Sequence, residues 1–339
     1  MNQKEGRSEQ HSILPAVSVK NLKKTYLTHK RGEGLLQSLK SFVWREHLEI
    51  HALRGINFSI QAGEIIGFIG PNGAGKSTCL KILSGILHPT SGDVTVLGYV
   101  PWKSRISYVG HIGAVFGQKS QLWWDLPPID SFRLMKSIYS IPDAQYEKNL
   151  REMVRLLEVP EVIHRPTRSL SLGERMKCEF INAMLHNPAV VFLDEPTIGL
   201  DVFAKETIRE FILRWNRLRG TTFILTTHDL QDIETLAQRI IVIDHGRIVF
   251  DNSLSALKAR LGGGKHVRIR CKRPIITPRS RAVTIKNLIS REEKEFIVDT
   301  QRLGIGEFIK LIGRGNQILD MSIEEPPIQE IIKKVYKRA

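Results

Sequence analysis

The sequence predicts an α/β fold, with a mainly parallel core sheet covered by helices, followed by a small α+β domain. Three observations carry this. Apolar runs at Ile65-Ile-Gly-Phe-Ile69, Val190-Val-Phe-Leu193, Thr222-Phe-Ile-Leu-Thr226 and Ile240-Ile-Val-Ile243 alternate with helical stretches, the pattern of a sheet buried on both faces. A glycine-rich turn separates the first run from a helix. Gly262-Gly-Gly264 then interrupts the chain, and three successive glycines seldom lie inside an element.

Taken in order, residues 1–15 read as a tail and residues 16–261 as the main domain. Alternation in Val17-Ser-Val-Lys-Asn-Leu and in Ile56-Asn-Phe-Ser-Ile predicts two early strands. Between them, residues 29–50 form a basic insertion in which Leu35, Leu36, Leu39, Phe42 and Val43 fall at helical spacing, predicting a short amphipathic helix. Residues 119–186 read as a helical subdomain, with helices expected at 129–140, 144–158 and 173–186. After the linker 262–264, residues 265–339 predict strands near 266–270, 295–298 and 317–321 and helices near 305–312 and 327–336.

Composition narrows the function. With 339 residues, 42% of them hydrophobic and 25% charged, the chain has the make-up of a folded protein rather than a disordered one. No apolar stretch reaches the roughly 18 to 20 residues of a membrane-spanning helix, and the polar N-terminus lacks the apolar core of a secretory signal. The three cysteines are widely spaced with no C-x-x-C pair, which fits a reducing cytoplasm. The net charge of +15 is concentrated in two places. Lys20 to Arg54 holds eight Lys/Arg against three Glu, and Lys265 onward holds seventeen against nine acidic residues, balances that suit a solvated surface, nucleic acid or an anionic membrane.

The chemistry lies in two motifs. Gly70-Pro71-Asn72-Gly73-Ala74-Gly75-Lys76-Ser77 matches the phosphate loop G-x-x-x-x-G-K-[ST], placed between a strand and the helix continued by Thr78. Glycines let backbone N–H groups close around phosphate oxygens, Lys76 reaches the outer phosphates, and the Ser77 hydroxyl is a ligand for Mg²⁺. Val190-Val-Phe-Leu-Asp194-Glu195 is an apolar strand ending in two carboxylates, where Asp194 is expected to bind Mg²⁺ through water and Glu195 to polarise the attacking water.

Further motifs, in the expected order, resemble the ATP-binding cassette (ABC) ATPases over residues 16 to about 260. Ser169-Leu-Ser-Leu-Gly-Glu-Arg resembles the signature loop, Gln118 the Q-loop glutamine, Gly199-Leu-Asp201 the D-loop and Thr227-His228-Asp the switch region, while Tyr26 resembles the residue that stacks on adenine. The resemblance implies a P-loop NTPase cassette with an added antiparallel β subdomain and helical subdomain. It implies Glu195, His228 and Gln118 as catalytic residues and Ser77, Gln118 and Asp194 around the metal. Tyr26, the loop from Gly70 to Thr78, and Ser171 and Gly173 of a second copy in a head-to-tail dimer would then hold ATP. Leu172 and Glu174 depart from the family's signature glycine and glutamine.

The insertion, the stretch Phe116-Gly-Gln-Lys-Ser-Gln-Leu-Trp-Trp-Asp-Leu-Pro127 and Asp194-Glu-Pro-Thr-Ile-Gly-Leu-Asp-Val202 resemble the ATPases of ABC-2 type exporters of the viologen and daunorubicin group. That implies separate permease subunits, a position on the cytoplasmic face of the membrane and no nucleic-acid partner. A polysaccharide exporter ATPase and a soluble ABC ATPase acting on nucleic acid or ribosomes remain as alternatives. Leu122, Trp123, Trp124 and Leu126 are expected at the permease contact, the rings packing inside the helical subdomain being the competing outcome. Lys30, Arg31, Lys40 and Arg45 are expected near the anionic membrane surface.

Overall fold

The strand β3 (Ile65–Ile69) is buried along its whole length, so it must be covered on both faces. The computed structural model describes residues 14–29, 47–117, 119–261, 264–278 and 280–338. Ahead of β3 run β1 (Val17–His29) and β2 (His47–Ile60), and after it β4 (Ser91–Val96). These three form an antiparallel sheet in the order β2-β1-β4. The core sheet joins β3 to β5 (Ile112–Phe116), β6 (Val190–Asp194), β7 (Thr222–Thr226), β8 (Arg239–Asp244) and β9 (Arg247–Ser253). Its order is β5-β6-β7-β3-β8-β9, and every pair from β5 to β8 is parallel.

Because side chains alternate along a strand, each central strand feeds two cores. Val190 and Phe192 of β6 and Ile224 of β7 pack with α1 (Lys76–Leu83), with Tyr108 of α2 (Arg105–Val109), and with the antiparallel sheet. Val191, Leu193, Phe223 and Leu225 pack instead with α3 (Pro128–Ile138), α4 (Asp143–Leu156), α5 (Leu172–Met184) and α6 (Val202–Arg219). The second core therefore ties the helical subdomain to the strands that carry the acidic motif.

The basic insertion expected over 29–50 needs correcting at both ends, because His29 closes β1 and residues 47–50 open β2. The rest of it, with the short amphipathic helix expected from Leu35 to Val43 and with Lys30, Arg31, Lys40 and Arg45, lies outside the described residues. The two long strands pair from Val17↔Ile60 out to His29↔His47.

The chain divides into compact units at Asp251/Asn252, upstream of the boundary expected at the glycine run. The reason is α8 (Leu254–Leu261), an element the sequence reading assigned to the main domain. Leu257 is fully buried, and α8 contacts a helix at the far end of the chain, α10 (Ile328–Arg338). The second unit also holds an antiparallel sheet of β10 (Lys265–Cys271), β11 (Val283–Leu288), β12 (Glu293–Val298) and β13 (Ile318–Glu324), ordered β11-β12-β10-β13. Val267 and Ile269 pack with Phe308 and Ile312 of α9 (Ile305–Gly313). Among the described residues, no helix is long and apolar enough to cross a membrane.

Candidate nucleotide site

The phosphate loop leaves β3 and closes onto α1 through three glycines with different constraints. A Cβ at Gly70 would stand 2.3 Å from the Ile243 carbonyl oxygen, and one at Gly75 2.5 Å from that of Ala52, so backbone passes too near for any side chain. Gly73 faces open space at φ +80°, a conformation costly for other residues. Helix α1 has no side-chain cap, and the Cys79 N–H to Gly75 carbonyl bond (2.9 Å) is its first internal one. The N–H groups of Lys76, Ser77 and Thr78 thus have no intrahelical acceptor and add to the positive end of the helix dipole, an arrangement suited to phosphate.

Lys76 is buried, and its ammonium donates to the carbonyls of Gly70 (2.6 Å) and Pro71 (3.1 Å). Burial pushes its pKa down, against the opposing pull of Glu195 and Asp194. Asn72, Gly73, Ala74, Gly75, Lys76, Ser77, Thr78 and Glu195 line one cavity of about 150 Å³. A second, of about 310 Å³, is lined by Ser77, Lys81, Ile86, Phe116, Gly117, Lys119, Asp194 and Glu195. Ser77 and Glu195 belong to both, so the two cavities meet at the loop.

The metal donors are sparse and of the right kind. The Ser77 hydroxyl donates to Asp194 Oδ1 (3.0 Å), and so does the Thr226 hydroxyl (2.6 Å). No cluster of three or more His, Cys, Asp or Glu able to hold an ion exists among the described residues. One hydroxyl and one carboxylate fit Mg²⁺, which keeps several waters and relies on substrate phosphate for the remainder of its shell.

Glu195 is held in a left-handed conformation (φ 54°), its N–H bonded to the Thr226 carbonyl at 3.0 Å. Its Oε1 lies 2.6 Å from His228 Nε2, bringing together residues from the ends of β6 and β7. Gly117 N–H donates to the Asp194 carbonyl (3.0 Å), and a Cβ at Gly117 would stand 2.4 Å from the Glu195 oxygen. Gln118, the next residue, lies outside the described residues.

Ser171 caps α5. Its hydroxyl accepts the Glu174 N–H (3.2 Å) while the Glu174 carboxylate accepts the Ser171 N–H (2.8 Å), a reciprocal capping box. The Ser171 N–H is the foremost influence holding the Glu174 carboxyl below its ordinary range. Gly173 is buried against Ala204, where a Cβ would come within 2.8 Å. Neither Ser171 nor Gly173 lines the two cavities around the phosphate loop.

Residues 53–198 match the family described as ABC transporter. The linearmycin resistance ATP-binding protein LnrL of Bacillus subtilis is 31% identical over 217 residues, covering 64% of this chain and 69% of that protein. The chain belongs to the ABC transporter family. Its ABC ATPase domain also superposes on the ATP-binding cassette MJ0796, solved as a dimer in a post-hydrolysis state with ADP and Pi. That pair is 27% identical with a TM-score of 0.58, over 70% of this chain and 98% of the other. ABC transporter A family member 8 of Dictyostelium discoideum is 30% identical over 245 residues, 72% of this chain. The present chain spans 29% of that longer protein.

Within this ABC domain, Tyr26 lies on β1 opposite Ile50, partly exposed with the Lys24 ammonium 5.1 Å from its ring centre. Ala52, two residues beyond Ile50 on β2, is the residue whose carbonyl abuts Gly75, so strand pairing places Tyr26 near the point where the hairpin meets the phosphate loop, although it lines neither cavity. Trp123 and Trp124 are about half exposed, and Arg175 stacks over Trp124 at 5.7 Å. Neither ring belongs to the buried core of the helical subdomain, the competing expectation. Leu122 is buried and leaves the expected contact set.

The structure also recruits residues that carried no sequence signal. Thr226 orients Asp194, and Gly117 admits the Glu195 backbone, yet a threonine ending an apolar strand and a lone glycine after one are too common to read. Glu179 of α5 accepts the Gln121 N–H at 3.0 Å and the Ser120 hydroxyl, fastening the loop that leads to the tryptophans. Burial pushes its carboxyl up.

Proposed function

We propose that the chain is the ATP-binding and ATP-hydrolysing subunit of an ABC-2 type exporter, working as a head-to-tail dimer beneath separate permease subunits at the cytoplasmic face of the membrane. The observation that carries this is the convergence of Lys76, Ser77, Asp194 and Glu195 on one pair of cavities from which Ser171 and Gly173 are missing, with His228 held against Glu195. One copy holds the phosphates, and the signature residues of a second copy complete the site. The resemblance of LnrL, named for linearmycin resistance, favours export as the process served.

In this reading the N–H groups of the loop and Lys76 receive the β- and γ-phosphates, and Tyr26 stacks on the adenine. Ser77 and Asp194 would hold Mg²⁺, which would supply charge neutralisation to the phosphates. A water oxygen attacks the γ-phosphorus in line with the departing β-phosphate oxygen, so that the bond to ADP breaks and the water's proton passes to Glu195. His228 Nε2–H, donated to Glu195 Oε1, orients that carboxylate toward the water. Gln118 joins the metal region to the loop bearing Trp123 and Trp124, which meet the permease. The second unit is accessory.

Glu195→Gln removes the base while sparing the nucleotide contacts. Purified protein should lose ATP hydrolysis by about 100-fold or more, the range typical of acid–base groups, and should accumulate as an ATP-bound dimer by size-exclusion chromatography. Undiminished turnover refutes the assignment of Glu195.

A further inference from the structure

Glu195 and His228 come from separate turns, after β6 and after β7, and their side chains alone do not fix where the two turns lie. Both turns are gripped by a carboxylate that belongs to neither. Asp232, in α7 (Leu230–Leu236), is fully buried. Its Oδ2 accepts hydrogen bonds from the hydroxyls of Thr197 and Thr227, the latter at 2.9 Å, and its Oδ1 accepts Nε and Nη2 of Arg209, each at 2.6 Å.

The positions of these partners give the arrangement its meaning. Thr197 stands two residues after Glu195, and Thr227 immediately precedes His228. Arg209 comes from α6, the helix whose N-terminus is capped by Asp201 through the Ala204 N–H at 2.9 Å. A second carboxylate, Asp229, takes Lys205 at 2.6 Å and Arg209 at 3.3 Å, so two cations balance two anions. A buried ion pair is a weak source of stability compared with apolar packing, because desolvation offsets the attraction. What it does supply is direction, since each oxygen of Asp232 satisfies a defined set of donors.

We propose that Asp232 is a positioning residue for ATP hydrolysis, tying the turn that carries Glu195 to the turn that carries His228 through the hydroxyls of Thr197 and Thr227. The inference rests on Glu195 and His228 acting as proposed above. It adds that their separation is set from beneath, by a group touching neither nucleotide nor metal, and that α6 is tied to the same point through Arg209. A movement of α6 would reach the Glu195–His228 pair through this carboxylate.

The test uses the full-length protein with Thr197→Val, which deletes one hydroxyl at nearly constant volume, and Thr197→Ser, which keeps it. Steady-state ATP hydrolysis should show kcat reduced about 10-fold or more in the valine variant, with KM for ATP within about threefold of the parent, because geometry rather than binding is lost. The serine variant should recover kcat to within about threefold of the parent. In nucleotide-free protein, the His228 ring carbon–proton NMR signal at fixed pH should be displaced by valine and restored by serine. A valine variant with parental kcat and an undisplaced signal overturns the proposal, as does a serine variant as impaired as valine. If the parent hydrolyses no ATP, the reading of Glu195 falls separately, and the His228 signal still decides the tether. Should the valine variant fail to fold, Asp232→Asn carries the test, and parental kcat with an unmoved His228 signal in that variant overturns it.

Discussion

Gly117 shows how tightly single residues are constrained around this site. A methyl group there would lie 2.4 Å from the Glu195 oxygen, and that oxygen belongs to backbone already held by Thr226, so neither partner can yield cheaply. Gly117→Ala should cost about 1–3 kcal/mol of stability, as overpacking does. A shift of the base by about 1 Å should cut turnover on the order of 100-fold. Thermal unfolding and steady-state kinetics read the two effects, and parental turnover in a folded variant contradicts the constraint. At this scale the sequence was partly legible. Lys76, Ser77, Asp194 and Glu195 announce themselves because phosphate and metal chemistry demand those types at those spacings. The departure at Glu174 has a local explanation in the capping box with Ser171, a pairing visible as S-x-x-E. Thr226, Asp232 and Gly117 act through three-dimensional neighbours distant in sequence, and no local pattern marks them.

Among the elements, the loop between β5 and α3 has the clearest division of labour. Glu179 and the burial of Leu122 fasten its first half to the helical subdomain, and Trp123 and Trp124 then turn outward. Trp123→Ala with Trp124→Ala should change stability little, roughly 0.5 kcal/mol per exposed site. It should also abolish co-purification with the permease, since aromatic anchors can each contribute about 2 kcal/mol or more at an interface. Leu122→Ala is the contrast, because deleting a buried leucine costs about 2–5 kcal/mol and should lower the unfolding temperature. Full permease co-purification with the double variant would defeat the docking assignment. Periodicity located α3, α4 and α5 within a few residues, since their apolar faces repeat at helical spacing. It could not tell buried Leu122 from its exposed neighbours, because an irregular loop has no period to read.

For the whole molecule, the division at Asp251/Asn252 makes a prediction that the glycine run does not. A chain ending at Ser253, the last residue of β9, should fold and bind a fluorescent ATP analogue with an affinity within about threefold of the full chain, every residue lining the two phosphate-loop cavities being retained. One ending at Leu261 keeps α8 without α10, and an isolated helix of that length is unstable in water. It should be more susceptible to proteolysis around Leu257. Failure of the shorter chain to bind the analogue would show that the second unit is needed for the site. Three glycines mark a place where the backbone is free to turn, and the eye takes that for a border. The border is set by which apolar surfaces cover one another, a property of both ends of the chain together. The pairing of β1 with β2 has a consequence of the same origin. Strand hydrogen bonds hold the ends of the insertion together, from His29↔His47 inward, whatever chain joins them. By loop-closure entropy, doubling the length of the connection would cost only about 0.6 kcal/mol. Ala52 would stay against Gly75 throughout, so a change in the length of the connection should leave the phosphate loop in place.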